Sequence, residues 1–319
     1  MNAQTIKAGM LGLAVGDALG VPAEFKSRQE LDREPVQGMR SGGTHSQPAG
    51  TWSDDTSMAL CLLESLTGGL NYHDMMTRFL RWAEDGYLTA HGETFDMGMA
   101  TRKALVKFAQ GTPPLACGGK QEFDNGNGSL MRILPLALYL QAKIGPSFSD
   151  KPEAYEIIHS ASALTHAHPV SLICCGIYCA AADAIIGDGG IPALHDAVEQ
   201  AKGFYRASAL APWLEEFQQT DVGTLLAAPR EMVKSGGYAV HTLEAALWCL
   251  LHTETYRDCA LAAVNLGDDT DTTAAVAGGL AGLRYGLESI PAPWLEVLAK
   301  RDQIEAMCQA FAQSLSAGA

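Results

Sequence analysis

The chain has 319 residues, of which 47% are hydrophobic, and its 36 acidic and 22 basic side chains give a formal net charge of −14. This apolar content is sufficient for a buried core, so the composition predicts a globular protein of one or two domains. The excess of negative charge argues against a nucleic-acid backbone or an anionic membrane surface as a direct partner. The longest apolar run, 171–186, contains Asp183 and is too short to span a bilayer. We therefore expect a cytoplasmic protein that does not insert into a membrane.

The spacing of apolar residues predicts helices along the whole chain and almost no strands. Twelve helices are expected, over residues 5–19, 56–67, 72–85, 94–110, 130–141, 154–164, 170–186, 191–207, 243–252, 256–266, 272–287 and 294–314. Glycine and proline breakers separate them, including a glycine-rich segment at 187–190. We find no long linker and no fixed repeat, so the sequence predicts a single all-α domain over 1–319.

Glycines recur at close to helical spacing in the first helix and again in the helix that begins at Thr272. Glycine inside a helix costs roughly 1 kcal/mol relative to alanine, so we expect these helices to pack unusually closely against a neighbour. The eight cysteines include no C-x-x-C pair and lie mostly in apolar segments. We expect them to be free thiols in the core rather than disulfides or zinc ligands.

Two clusters of acidic and hydroxyl side chains, at 53–56 (SDDT) and 268–272 (DDTDT), each precede a helix of small apolar residues. Carboxylate and hydroxyl oxygens suit hard divalent cations such as Mg²⁺ and Mn²⁺, and the combined negative charge can balance two of them. The alternative is that both clusters only cap helices and complement the helix dipole. The density of acidic residues exceeds what capping requires, so the pattern favours a binuclear metal site.

Three further motifs accompany these clusters, at 16–24 (GDALGVPAE), 124–129 (DNGNGS) and 164–169 (LTHAHP). Alternating glycines ahead of a helix leave backbone N–H groups open, so the loop 125–129 could hold a pyrophosphate at a helix N-terminus. It could equally be an ordinary turn rich in Asn and Asp.

In this order the motifs resemble those of the ADP-ribosylglycohydrolase family, and within it the dinitrogenase-reductase-activating glycohydrolase type. The matching pattern runs from Gly9 through Tyr285 and reads GDALG-x-x-x-E, SDDT, FD-x-G, NGNGS-x-MR, LTH, GY-x-x-x-TLE and GDDTDT. The resemblance implies a compact, orthogonal all-α bundle with two Mg²⁺ or Mn²⁺ ions in a cleft, and we expect the protein to be a monomer. It also implies an enzyme that removes ADP-ribose from a modified acceptor.

The resemblance assigns the metal ligands to both acidic clusters. They would be Ser53, Asp54, Asp55, Asp269, Asp271 and Thr272. Asp268 stands where many relatives have glycine, so we expect it to support the site or cap the helix.

The resemblance also assigns two catalytic carboxylates, Glu24 and Asp96, without deciding which is the general base. Taken alone, Asp96 would be interpreted as a solvated residue near a helix start, and Met97 and Met99 beside it depart from the common pattern. The substrate-binding residues would be Asn125, Gly126, Asn127, Gly128, Ser129, His166 and Tyr238. Arg132 is expected to support the loop, and Tyr238 without the resemblance would be a loop anchor.

Similarity around Asp96 and Tyr238 favours arginine in a protein as the acceptor, with an ADP-ribosylated protein as partner and ADP-ribose as product. Serine-linked or nucleic-acid-linked ADP-ribose is an alternative acceptor. Two other classes use part of the same pattern, namely a metal-dependent phosphohydrolase and a non-catalytic, crystallin-like relative. Because every expected ligand position holds an oxygen donor, the sequence favours catalysis.

Overall fold

The computed structural model of the chain describes residues 1–187 and 190–317. The breaker at 187–190 and the end of the domain predicted over 1–319 therefore lie partly outside the described residues. The described chain forms fifteen α-helices: α1 Ala3–Gly20, α2 Arg28–Arg33, α3 Asp54–Thr67, α4 Tyr72–Asp85, α5 Met99–Ala109, α6 Leu134–Lys143, α7 Pro152–Ala163, α8 Pro169–Ile186, α9 Ile191–Arg206, α10 Val222–Ala227, α11 Ala239–Leu251, α12 Tyr256–Val264, α13 Thr270–Tyr285, α14 Ala292–Val297 and α15 Arg301–Ala317. Within this part of the chain only isolated β-bridges occur and no strand forms, which confirms the all-α prediction.

Helices α1 and α13 pack against each other in antiparallel directions and at very short distance. A Cβ atom added to Gly12 would lie 2.4 Å from the carbonyl oxygen of Gly278, and one added to Gly16 would lie 2.0 Å from that of Ala274. At Gly20 the added atom would lie 2.3 Å from Cα of Asp271. The close packing predicted from the glycines is confirmed, and it places the C-terminal end of α1 beside the N-terminal end of α13.

Two helical segments, Ala3–Ala23 and Pro169–Ile186, are long and apolar enough to cross a membrane. Most of each segment is buried inside the fold, as is usual for core helices. All eight cysteines are buried free thiols, as predicted.

Some predicted helix boundaries are wrong. The helix predicted over 94–110 begins only at Met99, because Asp96 has a left-handed backbone (φ 59°) and Gly98 is the N-cap. The segment predicted over 294–314 divides into α14 and α15, where Lys300 is left-handed (φ 52°) and Ala299 N–H donates to Gly50 O at 2.9 Å. Helix α6 begins at Leu134 rather than at residue 130, and the short helices α2 and α10 were not predicted.

Candidate active site and metal centre

The site begins where α1, α3 and α13 converge, and the buried carboxylate of Asp17 on α1 organises it. Oδ1 of Asp17 accepts a hydrogen bond from the Ser53 N–H at 2.9 Å, and Oδ2 accepts from the N–H and hydroxyl of Thr56 at 3.0 and 2.6 Å. Asp17 therefore caps the N-terminus of α3 from a neighbouring helix and fixes the first acidic cluster. Asp17 belongs to the motif at 16–24, but no role was predicted for it from the sequence.

The two acidic clusters meet in space, although they are distant in the chain. Oδ2 of Asp55 accepts hydrogen bonds from the hydroxyls of Ser53 at 3.1 Å and Thr272 at 3.2 Å. Five of the six predicted ligands are buried and Asp269 is partly exposed, while Asp268 is exposed. The structure thus brings all six predicted ligands to one place.

Buried carboxylates in this cluster lack the hydrogen-bond donors that burial normally demands. Oδ1 of Asp55 and both carboxylate oxygens of Asp271 receive no hydrogen bond from an N–H or hydroxyl group of the described chain. Burial and then the repulsion of neighbouring carboxylates raise the pKa of Asp54, Asp55 and Asp271 well above the usual range. A set of crowded, donor-free carboxylate oxygens with nearby hydroxyls fits a hard divalent cation.

Glu24 and Asp96, the predicted catalytic pair, lie together with His45. One ligand atom from each of the three residues lies within 4.8 Å of the other two. Nε2 of His45 is 2.5 Å from Oε2 of Glu24 and 3.9 Å from Oδ1 of Asp96. His45 was not predicted as a site residue, because it lies in the loop between Gly42 and Gln47 and has no motif around it that indicates a role.

Burial and nearby carboxylates also perturb this pair. Burial, with the charges of Asp96, Asp269 and Asp17, raises the pKa of Glu24 to about 9. Burial, with Asp269 and Asp17, raises the pKa of Asp96 to about 7, whereas burial lowers the pKa of His45. Without a cation, both shifts favour the neutral forms of Glu24 and His45.

Glu24 and Asp96 line a cleft of about 530 Å³ together with Asp54, Asp269 and Thr272, and no Lys or Arg belongs to its described lining. Part of the predicted phosphate loop and a histidine line the same cleft, namely Gly126, Asn127, Gly128 and His166.

Several hydrogen bonds hold the loop 125–129 in place. Asn127 N–H donates to Gly237 O and Ala239 N–H donates to Asn125 O, each at 3.1 Å. The buried guanidinium of Arg132 donates to Gly128 O at 2.9 Å, which is the supporting position expected for it. The N–H groups of Gly126 and Gly128 have no acceptor within the described chain and are open to a ligand.

The remaining predicted substrate residues occupy different positions. Ser129 is fully buried and accepts a hydrogen bond from Ser162 at 2.8 Å, so its side chain does not reach the cleft. Asn125 and Tyr238 line a neighbouring pocket, where the Tyr238 hydroxyl donates to Glu216 at 2.9 Å. His166 is buried in the cleft wall, and burial together with Arg132 lowers its pKa to about 3, so it is neutral.

Comparison with known proteins agrees with this geometry. The model of the family described as ADP-ribosylglycohydrolase matches residues 2–318. The ADP-ribosylarginine hydrolase Tri1 of Pseudomonas putida (strain GB-1) is 34% identical over 312 residues, which cover 95% of this chain and 76% of that protein. The ADP-ribosyl-[dinitrogen reductase] glycohydrolase of Rhodospirillum rubrum is 30% identical over 293 residues, covering 90% of this chain and 88% of that protein.

A solved structure entitled ADP-ribosylglycohydrolase-related protein complex has a TM-score of 0.80 and 33% identity, and the match covers 98% of each chain. The protein is therefore a hydrolase, because it combines an all-α fold and an acidic cleft with sequence relatives that are hydrolases. The chain belongs to the ADP-ribosylglycohydrolase family, which confirms the resemblance seen in its motifs.

Proposed function

We propose that this protein hydrolyses the bond between ADP-ribose and the arginine side chain of a modified protein, with two bound Mg²⁺ or Mn²⁺ ions. One observation carries the proposal: the acidic clusters that contain the donor-free carboxylates of Asp55 and Asp271 also supply Asp54, Asp269 and Thr272 to a cleft that the glycine loop lines as well. The carboxylates of the clusters suit divalent cations, and the backbone N–H groups of the glycine loop suit a diphosphate. Similarity to hydrolases named for arginine and for dinitrogen reductase supports the acceptor.

In this proposal the cations are held by the two acidic clusters, through Ser53, Asp54, Asp55, Asp269, Asp271 and Thr272. When bound, the cations supply positive charge that orients the ribose hydroxyls and lowers the pKa of a water molecule. The N–H groups of Gly126 and Gly128 bind the diphosphate, with neutral His166 beside them. Asn125 and Tyr238, in the neighbouring pocket, contact a more distant part of ADP-ribose.

Asp96 is the proposed general base. Its carboxylate lines the cleft beside the predicted metal ligands Asp54, Asp269 and Thr272, where an ionised carboxylate can take a proton from water. Asp96 accepts a proton of the attacking water as the water oxygen bonds to the anomeric carbon and the carbon–nitrogen bond breaks. The electron pair of the broken bond stays on the guanidine, which takes up a proton from solvent, and Asp96 then releases its own proton to solvent. Glu24, paired with His45, positions the base and the sugar from the side of α1.

The test is an assay of free ADP-ribose released from three substrates, with ADP-ribose linked to arginine, to serine or to a nucleic-acid end. Purified protein is used with Mg²⁺, with Mn²⁺ and with EDTA. We expect release from the arginine substrate, supported by either metal and abolished by EDTA. Activity confined to the serine or nucleic-acid substrate would replace the proposed acceptor. Production of AMP from ADP-ribose would instead indicate a phosphohydrolase.

Variants of the acidic clusters test the metal assignment separately. Asp54→Asn and Asp269→Asn each remove a charged oxygen donor, so we expect turnover to be lost and calorimetric Mn²⁺ affinity to fall. Asp268→Asn is the matched control, because this neighbouring carboxylate is exposed and not assigned to a cation. Wild-type hydrolysis by a folded Asp54→Asn or Asp269→Asn protein would refute the binuclear assignment.

A further inference from the structure

Three large apolar side chains stand exposed at the mouth of the acidic cleft. Phe25 and Met99 are each 66% exposed and Phe123 is 88% exposed. They come from three separate segments, yet all three border the same cleft. Single exposed apolar residues are common, but several around one opening mark a contact surface. We call these three residues the apolar rim.

Phe25 holds its exposed position at a conformational cost. Its φ of 64° is left-handed, which is unfavourable for a bulky residue. A hydrogen bond of 2.8 Å from the Phe25 N–H to Asp268 O, on the segment before α13, fixes this backbone. The same turn directs the neighbouring Glu24 into the site and leaves the ring of Phe25 outside.

The charge of the opening restricts the partner. The cleft lining includes the carboxylates of Glu24, Asp54, Asp96, Asp268 and Asp269 and, within the described chain, no Lys or Arg. Because Asp96 and Asp268 are not assigned to a cation, the opening keeps negative charge when the cations are bound, so it favours a cationic segment and disfavours an acidic peptide or a nucleic acid. An apolar rim around an acidic opening therefore fits a polypeptide that presents a guanidinium between apolar residues.

We propose that the apolar rim docks the polypeptide on both sides of the modified arginine, and that this protein selects arginines flanked by apolar rather than polar residues. The inference rests on the proposed function and adds a preference for the residues that flank the modified arginine.

The experiment compares three substrates: free ADP-ribosyl-arginine and two peptides with one ADP-ribosylated arginine, flanked by leucines in one and by serines in the other. The rim variant combines Phe25→Asn, Met99→Gln and Phe123→Asn, with Asn chosen at 25 because it tolerates a left-handed backbone. Met232→Gln is the matched control, since Met232 is 72% exposed but lies outside the cleft lining. Thermal unfolding checks that each variant is folded.

We expect wild-type kcat/KM to favour the leucine-flanked peptide by about tenfold, the effect of burying part of one or two apolar side chains. The rim variant should lose this preference when each value is divided by its own kcat/KM on free ADP-ribosyl-arginine. Met232→Gln should keep it. Equal wild-type activity on the two peptides, or an undiminished preference in the rim variant, overturns the proposal.

Failure of the proposed function is recognised separately, because wild-type protein would then release no ADP-ribose from free ADP-ribosyl-arginine. In that case fluorescence anisotropy of the two labelled peptides, measured in EDTA, still decides about the rim. A lower Kd for the leucine-flanked peptide that disappears in the rim variant supports docking. Equal Kd values for the two peptides overturn it.

Discussion

The side-chain amide of Asn127 donates a 2.8 Å hydrogen bond to Oδ2 of Asp269, and so joins the glycine loop directly to the acidic cluster. The same amide donates to the Thr242 hydroxyl at 2.9 Å, which anchors it to α11. Asn127 was predicted to bind substrate, and the structure places its side chain, 9% exposed, between the two halves of the site. The proposed phosphate and cation sites are therefore mechanically connected.

Asn127→Ala should weaken cation and ligand binding together. Loss of the amide removes one of the donors that favour the ionised form of Asp269, and it removes the direct link between the loop and the acidic cluster. Groups that orient metal ligands typically contribute about 10- to 100-fold to metal affinity, so Mn²⁺ affinity should fall by this factor and the Kd for ADP-ribose should rise. Calorimetry measures both.

Thr242→Val is the control for Asn127→Ala, because it removes the other acceptor and leaves the bond to Asp269 intact. Its Mn²⁺ affinity should stay near the wild-type value. If Asn127→Ala binds Mn²⁺ as tightly as the wild type, the connection between loop and cluster has no energetic importance.

Removal of the cations should make stability depend on pH in a defined direction. In the chelated protein the pKa values of Asp17, Asp96 and Glu24 are raised to about 6, 7 and 9. In the unfolded chain the pKa of each carboxyl group is lower, about 4, so protonation of these groups favours the folded state. This stability is fully present below about pH 4 and is lost as the pH rises through the folded pKa values.

Bound cations favour the ionised carboxylates instead, so the gain in Tm on adding Mg²⁺ or Mn²⁺ should increase from pH 5 to pH 8. Differential scanning calorimetry with metal and with EDTA at each pH measures this gain. A Glu24→Gln and Asp96→Asn double variant should flatten the dependence. A gain that is the same at pH 5 and pH 8 would contradict the assignment of these carboxylates to a shared site.

The features that could be predicted from the sequence were those that depend on residues close together in the chain. The glycine spacing of the first and the thirteenth helix predicted close packing of each against a neighbour, because only missing side chains allow such an approach, but it did not identify the two helices as partners. The acidic clusters were also visible, since hydroxyls and carboxylates were concentrated ahead of helices. Asp17 and His45 were not assigned, because each acts through a tertiary contact, to Thr56 or to Glu24, across more than twenty positions of chain.

Ser129 was predicted to bind substrate, but its side chain lies in the core. It belongs to the glycine motif by position, but the turn after Gly128 points its hydroxyl into the core towards Ser162 and Cys175. A pattern of residue types does not specify which members of a loop face a ligand. That direction depends on how Arg132 and the segment at Gly237 hold the backbone.

Glycines 126 and 128 should respond differently to alanine. A Cβ at Gly126 would lie 3.6 Å from Gly237 O and 3.8 Å from His166 Nε2, which are ordinary contacts, so the fold tolerates it. At Gly128 the added atom would lie 2.7 Å from Cε1 of His166 and would displace that ring. Only Gly126→Ala therefore tests backbone approach to a ligand without a structural change.

Gly126→Ala should raise the Kd for ADP-ribose by about tenfold or more, the value of a hydrogen bond to a charged phosphate, while Tm and Mn²⁺ affinity stay unchanged. Gly128→Ala should lower Tm as well. Calorimetric titration and thermal unfolding separate the two cases. Wild-type ADP-ribose affinity in Gly126→Ala would mean that the N–H groups of the loop do not bind the diphosphate.

Asp96→Asn tests the proposed general base with little structural disturbance. Asn tolerates the left-handed backbone of this position (φ 59°) as well as Asp does, and it keeps the shape of the side chain. If Asp96 accepts the proton of water, kcat on ADP-ribosyl-arginine should fall by roughly 10²- to 10⁴-fold while Mn²⁺ and ADP-ribose still bind. Glu93→Gln is the control, because Glu93 is an exposed carboxylate of the same loop, and this variant should retain the wild-type kcat.

The two other outcomes for Asp96→Asn have distinct meanings, because Asp96 lies within reach of both the acidic cluster and the pair of Glu24 and His45. Loss of Mn²⁺ would make Asp96 a metal ligand. Full kcat with bound metal would place the base elsewhere, and Glu24 is then the next carboxylate in the cleft. Glu24→Gln, assayed in the same way, decides that case, since it removes the ionisable group and keeps a hydrogen-bonding partner for His45.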